Sequence, residues 1–199
     1  MEDHRALLES NRRWAAGMLE TDPELFGRMS KGQAPGFLWL GCSDSRVPAS
    51  QVAGVGPGEL FVHRNIANLV VQTDLNFLSV LQYAVEVLQV KHVIVCGHYA
   101  CGGVQAAYEG KPHGLIDNWL QPIKSLAREH SGELAKLQPR DAVNRLCELN
   151  VEAQVANICR STVVEGAWKR GQQLKVHGWM YRFEDGLLSE VAGPVEKAG

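Results

Sequence analysis

Two uninterrupted apolar runs, Phe37 to Leu40 and Val93 to Cys96, constrain this chain more than any other feature. A short apolar run without polar alternation fits a strand covered on both faces, as in parallel sheets. Parallel neighbours need long crossovers, usually helical, and the sequence between the runs supplies one. Thr73-Asp74 caps a helix reaching about Val90, with Phe77, Val80, Leu81, Ala84, Val85 and Leu88 on its apolar stripe. The same reading gives an amphipathic helix over 5–18, carrying Leu8, Trp14, Ala15 and Met18, and a short helix capped by Asp22-Pro23 that ends near Gly32. Strands follow at 37–42, 59–63 and 92–97. Pro48 opens a short helix, Gly102 another, and 116–129 and 141–168 are helical, the last broken near Arg160-Ser161. Leu174 to Phe183 reads as a strand, Glu184-Asp185-Gly186 as a turn, and Leu187 to Val191 as its partner strand. The fold class is therefore α/β, a mainly parallel central sheet flanked by helices, in one domain over 1–199 with an N-terminal helical arm over 1–32.

Composition narrows the function. With 199 residues, 45% of them hydrophobic, the chain can bury one sizeable core. A net charge of -2 without a basic stretch argues against nucleic acid as a partner. No apolar run approaches the ~20 residues that span a bilayer. The opening Met-Glu-Asp-His-Arg has neither a basic nor an apolar leader region, so a cytoplasmic location is expected. Five cysteines, an odd number scattered through the chain, fit reduced thiols and a metal better than a disulfide framework.

Both apolar strands end in reactive side chains. The first delivers Cys42, Asp44 and Arg46 at alternate positions, which in extended backbone point the same way. The second delivers His98 and Cys101. Taken singly each is ordinary: a cysteine after a strand is usually a small buried residue, and Asp-x-Arg is usually a surface pair. Together, at the carboxyl ends of strands where open α/β sheets place their sites, Cys42, Asp44, His98 and Cys101 form a complete zinc set. Arg46 offers Asp44 a two-pronged alternative partner. The residues thus encode a switch, with Asp44 either on zinc or on Arg46, the latter leaving zinc an open, catalytic position. Cys96, Cys147 and Cys159 read as core thiols, and His63 and His92 as satisfied strand residues.

These motifs resemble the β-class carbonic anhydrases. The resemblance rests on Cys42-Ser43-Asp44-Ser45-Arg46-Val47-Pro48, on Gly97-His98-Tyr99-Ala100-Cys101-Gly102-Gly103 and on Gly58 to Asn68, and extends through Gln154 to Asn157 and His177-Gly178-Trp179. It implies reversible hydration of carbon dioxide to bicarbonate and a proton, zinc held by Cys42, His98 and Cys101, and a dyad of Asp44 and Arg46. It also implies an apolar substrate pocket from Val47, Phe61, Ile66 and Tyr83, and a Gly102 N–H stabilising the developing anion. Gln33 would reach substrate oxygen across a subunit boundary. Family members are dimers or assemblies of dimers, so a homo-oligomer is expected, the helical arm wrapping its partner. Many members continue past the equivalent of Gly199, so dimer against tetramer stays open. Trp39, Gly41, Arg64 and Tyr181 match the allosteric, type II bacterial branch, in which bicarbonate binds away from zinc. Two alternatives stand beside this reading: a carbon disulfide or carbonyl sulfide hydrolase on the same fold, and a non-catalytic zinc protein sensing bicarbonate.

Overall fold

The computed structural model describes residues 3–196 and divides into two compact units, Met1–Ala34 and Pro35–Gly199. The first unit holds helix α1 (His4–Thr21), whose first turn is capped by the Asp3 carboxylate accepting the Arg5 N–H, and helix α2 (Leu25–Met29). The Trp14 and Phe26 rings meet edge to face at 5.9 Å between centroids. Asp22 does not cap α2. It closes α1 instead, and its carboxylate takes the Arg28 guanidinium, a charged partner worth more to it than the 3.3 Å contact from the Glu24 N–H.

The second unit is built on a five-stranded sheet in the order β2-β1-β3-β4-β5. In chain order it comprises β1 (Phe37–Cys42), α3 (Ala49–Ala53), β2 (Leu60–Asn65) and α4 (Leu75–Gln82). Next come β3 (His92–His98), α5 (Gly102–Glu109), α6 (Ile116–Trp119), α7 (Gln121–Glu129) and α8 (Ser131–Leu134). The chain finishes with α9 (Pro139–Cys159), α10 (Thr162–Lys169), β4 (Lys175–Tyr181) and β5 (Leu188–Val195). The pairs β1–β2, β1–β3 and β3–β4 are parallel, and β5 returns antiparallel to β4. The apolar runs are covered on both faces, as their lack of alternation demands: Leu38, Leu40, Val93 and Val95 enter the main core, while Trp39, Ile94 and Cys96 pack on the other side with Ala49 of α3.

Two expected helices depart from the sequence reading. The helix over 73–90 relaxes after Gln82 into a wider turn over Tyr83–Val87, where the Leu88 N–H bonds to the Tyr83 carbonyl, five residues back. The helix over 116–129 breaks at Leu120, because Pro122 has no N–H for a continuing ladder and instead sits in the first turn of α7.

Helix α9 lies against β3 and β4 at two glycines. A Cβ on Gly97 would stand 2.6 Å from Val151 Cγ2, and one on Gly178 would stand 2.8 Å from Val151 Cγ1 and 3.0 Å from Val155 Cγ2. Both glycines are required by space. Gly178→Ala is expected to destabilise the fold by about 1–3 kcal/mol through overpacking, read as a lower denaturant midpoint at unchanged slope.

Candidate metal centre

Strands β1 and β3 are neighbours in register, Gly41 opposite Cys96, so their carboxyl ends emerge side by side. Cys42 is the last residue of β1, His98 the last of β3, and Cys101 caps α5 three residues later. Their donor atoms all lie within 4.8 Å of one another, and all three residues are buried. The two sulfurs are 3.9 Å apart. Two thiolates on one tetrahedral zinc at ~2.3 Å would stand about 3.8 Å apart.

The imidazole is oriented for coordination. Its Nδ1 lies 3.0 Å from the Tyr99 carbonyl oxygen and donates there, which leaves the lone pair on Nε2. That Nε2 is buried with no hydrogen-bond partner. An orphaned acceptor facing two thiols is costly unless something electrophilic fills the position. The donor set therefore fits zinc.

Electrostatics favour thiolate at one sulfur. The Cys101 thiol, as hydrogen-bond donor to Cys42, lowers the Cys42 pKa against the opposing effect of burial, assisted by the backbone N–H of Asp44 and Ala67. Donating to Cys42 raises that of Cys101, and burial raises it further. The other cysteines behave as core thiols: burial pushes Cys96 up, Cys147 to about 12 and the half-buried Cys159 to about 11.

Asp44 and Arg46 flank this cluster. Arg46 Nε and Nη2 fork onto the two carboxylate oxygens at 2.9 and 2.7 Å, and the Arg46 N–H adds a third bond at 3.0 Å. This pairing holds the Asp44 carboxyl well below the usual carboxylate range. The same carboxylate reaches within 3.8 Å of His98 Nε2. Asp44 therefore stands on Arg46, within a short movement of the metal position.

One helix steadies the His98–Cys101 loop and the segment that packs on Cys42. On α9, the Asn144 side chain accepts the Ala100 N–H at 3.1 Å and Glu148 accepts the Tyr99 hydroxyl at 2.8 Å, fixing the segment between His98 and Cys101. Asn150, also on α9, donates to the Ala67 carbonyl at 3.0 Å, and Gln154 accepts the Val70 N–H at 2.9 Å. Ala67 has φ +63°, and its N–H points to Cys42 Sγ at 3.4 Å.

A family model described as carbonic anhydrase matches residues 37–188. The chain belongs to the carbonic anhydrase family. A carbonic anhydrase of Emericella nidulans is 44% identical over 191 residues, 96% of this chain and 84% of the relative. A Coccomyxa β-carbonic anhydrase, solved in complex with acetazolamide, is 40% identical with a TM-score of 0.93, over 99% of this chain and 90% of that one. One of two tetrameric β-carbonic anhydrases from Sordaria macrospora is 39% identical, TM-score 0.91, over 95% and 96% of the two chains. The chain is accordingly an enzyme of the carbonic anhydrase class, and its α/β fold is that of β-carbonic anhydrase structures.

The remaining expected residues scatter around the β-carbonic anhydrase centre. Ile66 lines an open hollow of about 880 Å³ with Ser43, Asn65, Leu115, Ile116, Asn118 and Trp119. Trp119 donates its indole N–H to the Ile66 carbonyl at 2.9 Å. Phe61 and Tyr83 pack on each other at 5.8 Å. Val47 is buried, and Gly102 opens α5. Gln33 belongs to the N-terminal unit. Arg64 donates to the Cys42 and Asp44 carbonyls at 2.8 and 2.5 Å. Trp39 is buried edge-on to Trp179, and a Cβ on Gly41 would strike its indole nitrogen at 2.6 Å. Tyr181, opposite His98 in β4, stands edge-on to Phe183 at 5.4 Å. His63 is not a satisfied strand residue: its Nε2 is buried and unpartnered beside the edge of Phe77, and burial lowers its pKa. Leu115, Asn118, Trp119, Asn144, Glu148 and Phe183 were not singled out by the sequence.

Proposed function

We propose that this chain catalyses the reversible hydration of carbon dioxide, with zinc held by Cys42, His98 and Cys101 and the Asp44–Arg46 pair as catalytic dyad. The observation that carries the reading is the buried, unpartnered His98 Nε2 beside two thiols, with the nearest carboxylate held off by a two-pronged arginine. When bound, zinc supplies Lewis acidity that makes water a nucleophile near neutral pH. The chain's own residues do the rest. The Asp44 carboxylate, fixed by Arg46, accepts a hydrogen bond from the attacking water and aims its lone pair. Carbon dioxide, small and apolar, enters along the hollow beside Ile66 and Trp119. Val47, Phe61 and Tyr83 complete the apolar side of the pocket, the Gly102 N–H meets the developing anion, and Gln33 of a neighbouring copy orients a substrate oxygen. The assembly is then a homo-oligomer.

Arg46 keeps Asp44 ionised far into acid. Its folded pKa is depressed, so its contribution to stability is complete above the unfolded value of ~3.9 and is lost only as pH falls through the lower folded value.

The finer reading is regulatory. A bicarbonate ion beside Trp39, Gly41, Arg64 and Tyr181 would compete for an arginine that otherwise braces the Cys42 and Asp44 carbonyls. Drawing Arg64 away frees Asp44 to turn from Arg46 toward the metal position. Activity is then expected to rise above about pH 8 more steeply than one ionisation allows, with cooperative bicarbonate inhibition that weakens in Tyr181→Phe. Stopped-flow hydration with metal analysis tests both levels. About one zinc per chain and fast hydration are expected. A zinc-loaded chain that releases sulfide from carbon disulfide but leaves carbon dioxide untouched would overturn the main reading. Single-ionisation behaviour with simple bicarbonate inhibition would remove the regulatory one alone.

A further inference from the structure

The turn between β4 and β5 carries Phe183 over the site. The Arg46 guanidinium carbon lies 4.2 Å from the centre of the Phe183 ring. The same ring meets the His98 imidazole edge to face, 5.3 Å between centroids and 65° between planes. Phe183 thus stands against both the dyad arginine and the histidine ligand. The turn that presents it is braced. The Tyr99 N–H bonds to the Tyr181 carbonyl at 3.1 Å, and the Arg182 guanidinium stacks over the Tyr99 ring at 4.9 Å. Glu184 accepts Arg140 Nη2 of α9 at 2.5 Å.

An aromatic face attracts a cation, and a guanidinium stacked on it loses little freedom when it also forks a carboxylate. Arg46 needs such support, because its side chain is 55% exposed whereas Asp44 is 18% exposed. Without the ring, the arginine is free to leave for solvent. Asp44, 3.8 Å from His98 Nε2, then has a short path to the metal position. We propose that Phe183 is a positioning residue for the dyad: its face holds Arg46 in the rotamer that keeps Asp44 off the metal, and its edge fixes the imidazole plane of His98. The proposal rests on the hydration reading, and Phe183 acts through Arg46 and His98.

The test uses the full-length chain loaded with zinc for kinetics and with cobalt(II) for spectroscopy, in Phe183→Leu, Phe183→Tyr and Arg46→Ala. Leucine keeps apolar bulk without the charged face; tyrosine keeps the face. Phe183→Leu is expected to lower kcat about tenfold at nearly unchanged KM, and to shift the cobalt absorption spectrum toward that of Arg46→Ala. Phe183→Tyr should restore both. A Phe183→Leu chain with native kcat and native cobalt spectrum would overturn the proposal. So would a Phe183→Tyr chain that fails as badly as leucine, since a packing role alone would then explain the loss. If the native zinc chain does not hydrate carbon dioxide, the functional reading falls, while the cobalt spectra of the leucine and Arg46→Ala chains still decide whether Phe183 holds the dyad.

Discussion

Cys101→Ser is expected to empty the metal site and abolish activity together. Zinc per chain should fall from about one to well below a tenth, and hydration by at least about a hundredfold. The reasoning begins at the sulfur. Cys101 Sγ stands 3.9 Å from Cys42 Sγ, inside a buried group whose donor atoms lie within 4.8 Å of one another. A serine hydroxyl is a far weaker ligand and does not deprotonate at neutral pH. Metal analysis after dialysis, alongside stopped-flow kinetics, reads both effects. A variant that keeps full zinc and turnover would exclude Cys101 as a ligand. Cys96 and Cys147 serve as controls, since burial raises both pKa values and neither belongs to the donor cluster.

Arg46→Ala should show the opposite pattern, with zinc retained and turnover lost by roughly a hundredfold or more. The mutation removes two side-chain bonds to Asp44, at 2.9 and 2.7 Å, and leaves the carboxylate only the backbone N–H of residue 46. Asp44 then turns toward the position beside His98 Nε2 and closes it. Asp44→Asn should also retain zinc and lose activity, for a different reason: the amide pairs poorly with Arg46 and accepts weakly from the attacking water. The two variants separate in cobalt spectra, because only the first places a carboxylate on the metal. Near-native turnover in Arg46→Ala would remove the dyad from the mechanism.

What the sequence made legible was local. Phe37 to Leu40 and Val93 to Cys96 are apolar without interruption, so strand identity, double burial and parallel pairing follow from a few residues each. Cys42, Asp44 and Arg46 sit within five positions, and His98 and Cys101 within four, so ligand chemistry and spacing are read together. The groups that steady them come from remote elements. Asn144, Glu148 and Asn150 lie on a helix more than forty residues further along the chain, and only the fold turns them onto the His98–Cys101 loop and the segment beside Cys42. Phe183 belonged to the expected strand Leu174 to Phe183, whereas β4 ends at Tyr181 and the phenylalanine falls in the turn. Pairing register and turn geometry decide such contacts, and neither is written in side-chain periodicity. Asp22 was expected to open the second helix but closes the first, because its carboxylate pairs with Arg28, a partner that capping pattern does not weigh.

Helix α9 has a consequence for how the metal is acquired. Its Asn150 and Gln154 are almost wholly buried and spend their amides on the backbone at Ala67 and Val70, beside Cys42, while Asn144 and Glu148 hold the Ala100 N–H and the Tyr99 hydroxyl of the loop between His98 and Cys101. The backbone around the donor atoms is thus ordered by hydrogen bonds that do not pass through the metal position. In small zinc modules the ion organises the chain, and chelation unfolds it. Here the segments around the donors are held by α9 itself, so chelation is expected to strip the ion and leave the fold standing, read as an unchanged circular dichroism spectrum.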